Sequence, residues 1–389
     1  MSNTSIYRFF SNIKIIFILY LLVTVFFTLK NISYGNTKTF SGEKKYTFIN
    51  NYIIFKNSYF HLKEGKNLYI SYPEKQWDLY KYSPSFSAFM GILAYLPNEV
   101  GIMLWNLTNC LLIFFGIRYF VKGPPEVVFI LWFILNEFIT SVINSQSNPA
   151  IAGLLIMAFT FFEKEKVHLA ALCIIATFYI KIFGILAALL FLFYPQKLKF
   201  LKWCFLWGVF IGLLPVFLTS LSSLIEQYKN WLNLLLNDHE GNYGYSFMGV
   251  LNSWFGLQSG KDLLVLAGLF AMVVPLFFIN KINDLQYRTN WFAALLIWIV
   301  IFNHKAESPT FIIALCGVAI WFFNSNRNIF DKILFAFAFV FTSLAPTDVF
   351  PLSIRKSFFE PYAIKAVPCI VVWIFIMCEM IKNGVKKYI

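Results

Sequence analysis

The chain has 389 residues, of which 59% are hydrophobic, 20% aromatic and only 13% charged. A soluble domain of this size carries about a quarter charged residues, so the composition excludes an ordinary water-soluble fold. The net charge of +13 does not signal nucleic acid: lysines and arginines sit at the ends of apolar runs, as the orientation rule for membrane proteins expects, and no nucleic-acid module is recognisable.

In chain order the apolar segments fall near 13–29, 99–121, 125–143, 147–163, 167–180, 184–195, 204–219, 261–279, 290–303, 309–323, 330–345 and 364–381. A helix of about 20 apolar residues crosses a bilayer. The expectation is therefore an all-α polytopic membrane protein with about 12 transmembrane helices, forming a single membrane domain over residues 1–389. Arg8 and Lys14 precede the run Ile15 to Leu29, but no small-x-small cleavage site follows it, so it reads as an uncleaved first span. Cys110, Cys173, Cys204, Cys316, Cys369 and Cys378 lie inside apolar runs without metal-ligand spacing, and read as packing residues.

The stretch 84–97 is apolar but short, with Pro84 opening it and Pro97 closing it. It reads as a re-entrant or interfacial helix. With that stretch not crossing and the N-terminus cytoplasmic, half of the 32 basic residues fall at cytoplasmic ends. Both termini are then cytoplasmic. Residues 30–83 become a long first extracytoplasmic loop and 220–260 a second large one, with 303–309 and 346–363 on the same side. Within the first loop, Ile54, Phe55, Ser58, Tyr59 and Leu62 share one helical face, a spacing that suits a helix lying on the membrane surface.

Polar residues at membrane depth are expensive and mark functional candidates. Lys181, in FYIKIFG, breaks a long apolar run; it either snorkels or binds a phosphate at the bilayer edge. Gln146 and Asn148, in NSQSNP, either recognise hydroxyls or close the turn before Pro149. Asn136 and Glu137 read as an interhelical hydrogen-bonding pair, and His304, Lys305 and Glu307 as a solvated loop. The first loop offers Glu43, Glu64, Glu74 and Asp78 as carboxylates able to take a proton from an acceptor hydroxyl. Lys63, Lys66, Lys75 and Lys81 stand near them, able to neutralise a leaving phosphate. No zinc signature, P-loop, dinucleotide fingerprint or Ser–His–Asp motif is present.

Four short motifs in a fixed order add a resemblance: LKEGKNLY (Leu62 to Tyr69), YKYSP (Tyr80 to Pro84), QSN (Gln146 to Asn148) and IKIFG (Ile180 to Gly184). Over residues 13–325 the chain resembles glycosyltransferase family 87. Its members have the membrane-embedded GT-C fold and include bacterial polyprenol-phosphate-mannose-dependent mannosyltransferases. The resemblance implies a hexosyltransferase of the bacterial cytoplasmic membrane that moves a hexose, mannose first among candidates, from a polyprenyl-phosphate donor to an envelope glycolipid or glycan. It implies no cofactor and leaves a divalent metal open. It also implies a catalytic base in the first loop, with Asn51, Tyr80, Lys81, Tyr82, Gln146, Asn148 and Lys181 as substrate-binding candidates.

The chain departs from the family pattern at one point. The family places an aspartate near the start of the first-loop helix, where this sequence has Asn51, and an amide is no general base. Asp78 is the first replacement candidate and Glu64 the second. Two other classes stay open: a lipid-linked saccharide transporter or flippase, for which no internal repeat is visible, and a catalytically inactive GT-C-like binding protein.

Overall fold

A backbone in hydrocarbon must satisfy its own polar groups, which leaves helices or closed barrels; this chain uses helices. The computed structural model describes residues 10–39, 44–120, 123–237, 243–258, 260–304 and 306–385. Among them the strands are β1 (Lys38–Thr39) and β2 (Lys45–Tyr46), an antiparallel ribbon in the first loop. Among the described residues five helices are long and apolar enough to span a membrane: 13–33, 98–118, 126–143, 197–217 and 364–385. The shorter apolar helices are 148–163, 167–180, 182–193, 262–277 and 308–324. Glu43, Lys305 and the basic residues Arg8, Lys122, Lys386 and Lys387 lie outside the described residues.

The chain divides into two compact units. The first comprises residues 1–121, 139–185 and 198–240. Its helices are α1 (Ile13–Ser33), α2 (Asn50–Lys63), α3 (Pro84–Phe89), α4 (Gly91–Ala94), α5 (Asn98–Arg118), the end of α6 (Pro124–Ile143), α7 (Asn148–Glu163), α8 (Val167–Ile180), α9 (Lys197–Leu213) and α10 (Leu221–Asn237). Buried residues of α1 recur nearly every fourth position (Ile16, Tyr20, Thr24, Thr28 and Asn31), forming one stripe that packs on α5. Asn106 of α5 donates to Thr28 Oγ1 at 2.8 Å there.

The α5–α7 crossing depends on small residues. A Cβ on Gly153 would stand 2.2 Å from the carbonyl oxygen of Leu112, and one on Gly116 would stand 2.6 Å from that of Gly153. Such backbone approach is how helices associate where no hydrophobic force drives them together. After α8, residues Ile182–Phe193 wind as a 3₁₀ helix. At ~2.0 Å per residue this reaches roughly 24 Å, against roughly 18 Å for an α-helix of the same length.

The first loop corrects one expectation. The α2 face carrying Ile54, Phe55, Ser58, Tyr59 and Leu62 is buried in protein and does not lie on a membrane surface. Phe55 meets Tyr82, Phe86 and Trp105 edge-on, with ring centroids 4.8, 5.3 and 5.6 Å away. Helical periodicity shows that a face is covered, not what covers it.

The second unit comprises residues 122–138, 186–197 and 241–389. It holds the first part of α6, then α11 (Phe247–Phe255), α12 (Lys261–Val273), α13 (Leu285–Ile301), α14 (Phe311–Asn324), α15 (Ile329–Ala338) and α16 (Val367–Val385). Helices α13 and α14 are buried over most of their length, as hydrophobicity all round a helix predicts. Asn328 and Asp331 form a capping box that starts α15. Asn136 and Glu137 both make interhelical bonds. Asn136 Nδ2 donates to the Ser343 carbonyl at 2.6 Å, and Glu137 Oε1 accepts from Lys365 Nζ at 2.7 Å.

Candidate functional site

The site in the first unit forms where two helix breaks meet the start of α3. The first break lies between α6 and α7. Ser145 there has φ +52°, a left-handed conformation uncommon for a side-chain-bearing residue. The turn is held from outside. Trp105 Nε1 donates to the Ser145 carbonyl at 3.0 Å, and Asn51 Nδ2 donates to that of Asn144 at 2.7 Å. Asn109 Oδ1 accepts from the amide of Ala150 at 3.1 Å, satisfying one of the orphan donors at the start of α7.

The second break is at Lys181, whose backbone is extended and ends α8. Its amide donates to Thr177 at 2.8 Å. Gly184 must be glycine for the chain to turn so closely, because a Cβ there would stand 2.5 Å from Thr177 Oγ1. The Lys181 side chain reaches back to the first break: Nζ donates to Asn148 Oδ1 at 3.0 Å and lies 5.7 Å from the Tyr82 ring centroid. Tyr82 completes the group. Its hydroxyl donates to Gln146 Oε1 and accepts from Ser147 Oγ, both at 3.4 Å. Gln146, Ser147 and Asn148 are buried, and Asn148 Nδ2 has no hydrogen-bond partner.

Thus Tyr82, Gln146, Asn148 and Lys181, separated in sequence, come together in one polar cluster. The cluster offers an ammonium, amide donors and acceptors and a phenol, groups that suit a phosphate flanked by hydroxyls. Ser147 was not anticipated, and neither were Trp105 and Asn109, which hold the turn. Their signal was slight: a Trp and an Asn four apart on one helical face, in a run read as plain span.

The remaining candidates sit elsewhere in the loop. Tyr80 is buried and its hydroxyl donates to the Ser83 carbonyl at 2.6 Å; burial pushes its phenol well above the usual range, so it serves the fold as a neutral donor. Lys81 extends its side chain outward, while its carbonyl accepts from Trp231 Nε1 at 3.2 Å. The amide of Asn51 is engaged in the turn. Asp78 is exposed, with φ +76°, and its Oδ1 accepts from the Leu79 amide at 2.7 Å. Two amides frame it: Asn50 Oδ1 accepts from the Trp77 amide at 2.9 Å, and Asn57 Nδ2 donates to Gln76 Oε1 at 3.0 Å.

Glu64 is exposed and paired with Lys66 at 2.7 Å. The hydrogen bond from Lys66 holds its carboxyl below the usual range. Glu74 is exposed. Among the described residues neither Asp78 nor Glu64 hydrogen-bonds to the Lys181 cluster. In the second unit, His304 is half-buried and Glu307 exposed.

A family model described as glycosyltransferase family 87 matches residues 80–323. That range begins at Tyr80 and takes in Tyr82, Gln146, Asn148 and Lys181; it leaves Asn51, Glu64 and Asp78 outside. No curated protein matches the chain.

Proposed function

The chain belongs to glycosyltransferase family 87 and is a membrane glycosyltransferase; on that premise we propose that it transfers a hexose, mannose first among candidates, from a polyprenyl-phosphate donor to a cell-envelope glycolipid or glycan. The reaction takes place at the outer face of a bacterial cytoplasmic membrane. Both termini face the cytoplasm, and the loops at 30–83 and 220–260 face outward. One observation carries the reading: Lys181 Nζ, 3.0 Å from Asn148 Oδ1 and over the Tyr82 ring, brings a cation to the point where two apolar helices break. A lysine placed there at the cost of two interrupted helices suits a ligand that is itself anionic and anchored in lipid.

In the proposed reaction Lys181 holds the donor phosphate and stabilises the charge that grows on it as the bond to the sugar breaks. Asn148 Nδ2 and Gln146 fix sugar hydroxyls. The acceptor hydroxyl oxygen bonds to the anomeric carbon, the bond from that carbon to the phosphate oxygen breaks, polyprenyl phosphate leaves, and the acceptor proton passes to a carboxylate. Asp78 is the better base of the two candidates. The carboxylate of Glu64 is stabilised in its charged form by Lys66 and so attracts a proton less, whereas Asp78 is held in a left-handed backbone conformation of the kind that clusters at functional sites.

The test is transfer by purified protein in liposomes from a radiolabelled polyprenyl-phosphate hexose to envelope lipid extract. Asp78→Asn is expected to lower the rate about 10²–10⁴-fold, while Glu64→Gln leaves it nearly unchanged. Full activity in Asp78→Asn would remove that base and leave the class standing. Movement of the donor across the bilayer with no sugar transfer would replace the enzyme with a flippase.

A further inference from the structure

The membrane-surface role that the sequence suggests for α2 has a better candidate. Helix α10 carries three distinct sectors. Leu224, Gln227 and Trp231 are buried against the rest of the first unit. Leu221, Ile225, Leu232 and Leu236 fall on a second sector, and each is about half exposed or more, at 54, 49, 49 and 64%. Ser222, Glu226, Lys229, Asn230, Asn233 and Asn237 make up the third. At 100° per residue the four exposed apolar side chains lie within about 60° of one another.

What covers that apolar sector follows from its continuity with α9. The segment Lys197–Phe217 is long and apolar enough to span a membrane, and only 11% of its most apolar stretch is buried inside the protein. Phe205, Phe210 and Phe217 are 70, 59 and 88% exposed, as lipid-facing residues of a span would be. Residues 214–217 wind as a short 3₁₀ turn, and after Ser220 the chain enters α10 directly. The exposed apolar surface runs from Phe217 to Leu221 and on along α10. The same helix turns a polar sector away from it.

We propose that α10 lies in the headgroup–acyl boundary of the bilayer, with its Leu221–Ile225–Leu232–Leu236 sector in lipid and its Glu226–Asn230–Asn233 sector in water. An apolar stripe beside a polar one, with low overall hydrophobicity, is the pattern of an in-plane helix. Its buried sector braces the first loop. Gln227 donates from Nε2 to the Lys66 carbonyl at 3.0 Å and accepts at Oε1 from the Leu68 amide at 3.1 Å. Trp231 holds the carbonyl of Lys81, next to Tyr82. The membrane surface thereby sets the height of the loop that supplies Tyr82. This inference rests on membrane residence and not on the proposed sugar transfer.

The test is site-directed spin labelling of the full chain in phosphatidylethanolamine–phosphatidylglycerol liposomes, in a Cys204→Ser/Cys378→Ser background. Labels replace Ile225, Leu232 and Leu236 on one sector and Glu226, Asn230 and Asn233 on the other. The expected result is higher collision with oxygen than with a water-soluble nickel chelate at the first three positions, and the reverse at the other three. Chelate access at all six positions would overturn the proposal, and so would shielding of the first three from both reagents, which would place a second protein copy on the face.

Discussion

Glu137 and Lys365 stand 228 positions apart in the chain and meet at 2.7 Å, with the Glu137 side chain fully buried and that of Lys365 3% exposed. Lys365 Nζ also donates to Ser308 Oγ at 2.8 Å and lies 5.3 Å from the Phe311 ring centroid. Removing one partner strands the other charge in a medium that cannot solvate it. Glu137→Leu or Lys365→Met alone is therefore expected to destabilise the second unit by ~3–5 kcal/mol, whereas the double replacement restores most of the loss. Thermal unfolding in detergent, followed by fluorescence-detected gel filtration, checks this. Single variants that melt with the wild type would remove the pair from the stability account.

Ser145 leads to a prediction of opposite sign. Its φ is +52° and its buried hydroxyl has no hydrogen-bond partner. Ser145→Gly removes both the backbone strain and the unsatisfied group, so a stabilisation of about 1 kcal/mol is expected in the same unfolding measurement. Ser145→Val, which is β-branched, is expected to destabilise. The opposite order of the two variants would mean that the turn is not strained.

His61 gives the first loop a pH dependence. Burial, with Lys75 and Lys66 nearby, lowers its pKa to about 4, and its ring lies against that of Tyr72, tilted by 32° with centroids 3.9 Å apart. The unfolded chain, with an imidazole near its ordinary value of about 6.5, binds the proton first as pH falls. The native loop is then fully stable above about pH 6.5 and loses stability as pH falls toward 4, by about 3 kcal/mol at most. Proteolysis between residues 60 and 75 as a function of pH reads this directly. His61→Phe is expected to flatten the profile; an unchanged profile would assign the dependence to other groups.

Gln227 is expected to act on the loop and not on the reacting atoms. Gln227→Leu leaves the Lys66 carbonyl and the Leu68 amide without their partner, at a cost of about 1–3 kcal/mol. Hydrogen exchange at residues 64–70 is expected to rise. Gln227→Glu keeps the acceptor for Leu68 and is expected to lie between the two, so equal exchange in Glu and Leu variants would contradict the account.

The sequence made the helix breaks legible because each has a local cause. Pro149 cannot continue a preceding helix, and Lys181 is the charge in an otherwise apolar run. Gln146, Asn148 and Lys181 thus stand out in the sequence, whereas Tyr82 enters only through the YKYSP motif of the family resemblance. The covering of the α2 face is not legible in the sequence, because apolar spacing looks the same whether lipid or Trp105 covers it. Helix α10 reads as loop in the sequence although Leu221, Ile225, Leu232 and Leu236 recur on one face, since intervening Ser, Glu, Lys and Asn lower its mean apolarity. Lys365 cannot be matched to Glu137 in the sequence, because 228 positions separate them and only tertiary packing brings α6 to the 3₁₀ turn Ile364–Ala366.

Whether Lys181 holds a lipid-linked sugar phosphate is decided by sugar transfer with purified protein in liposomes, wild type beside Lys181→Met and Lys181→Arg. Transfer from polyprenyl-phosphate hexose is expected in the wild type, with a loss of about 10²–10³-fold in Lys181→Met and partial recovery in Lys181→Arg. A wild-type protein that binds the donor and transfers nothing, or a Lys181→Met variant as fast as wild type, would take that role from Lys181.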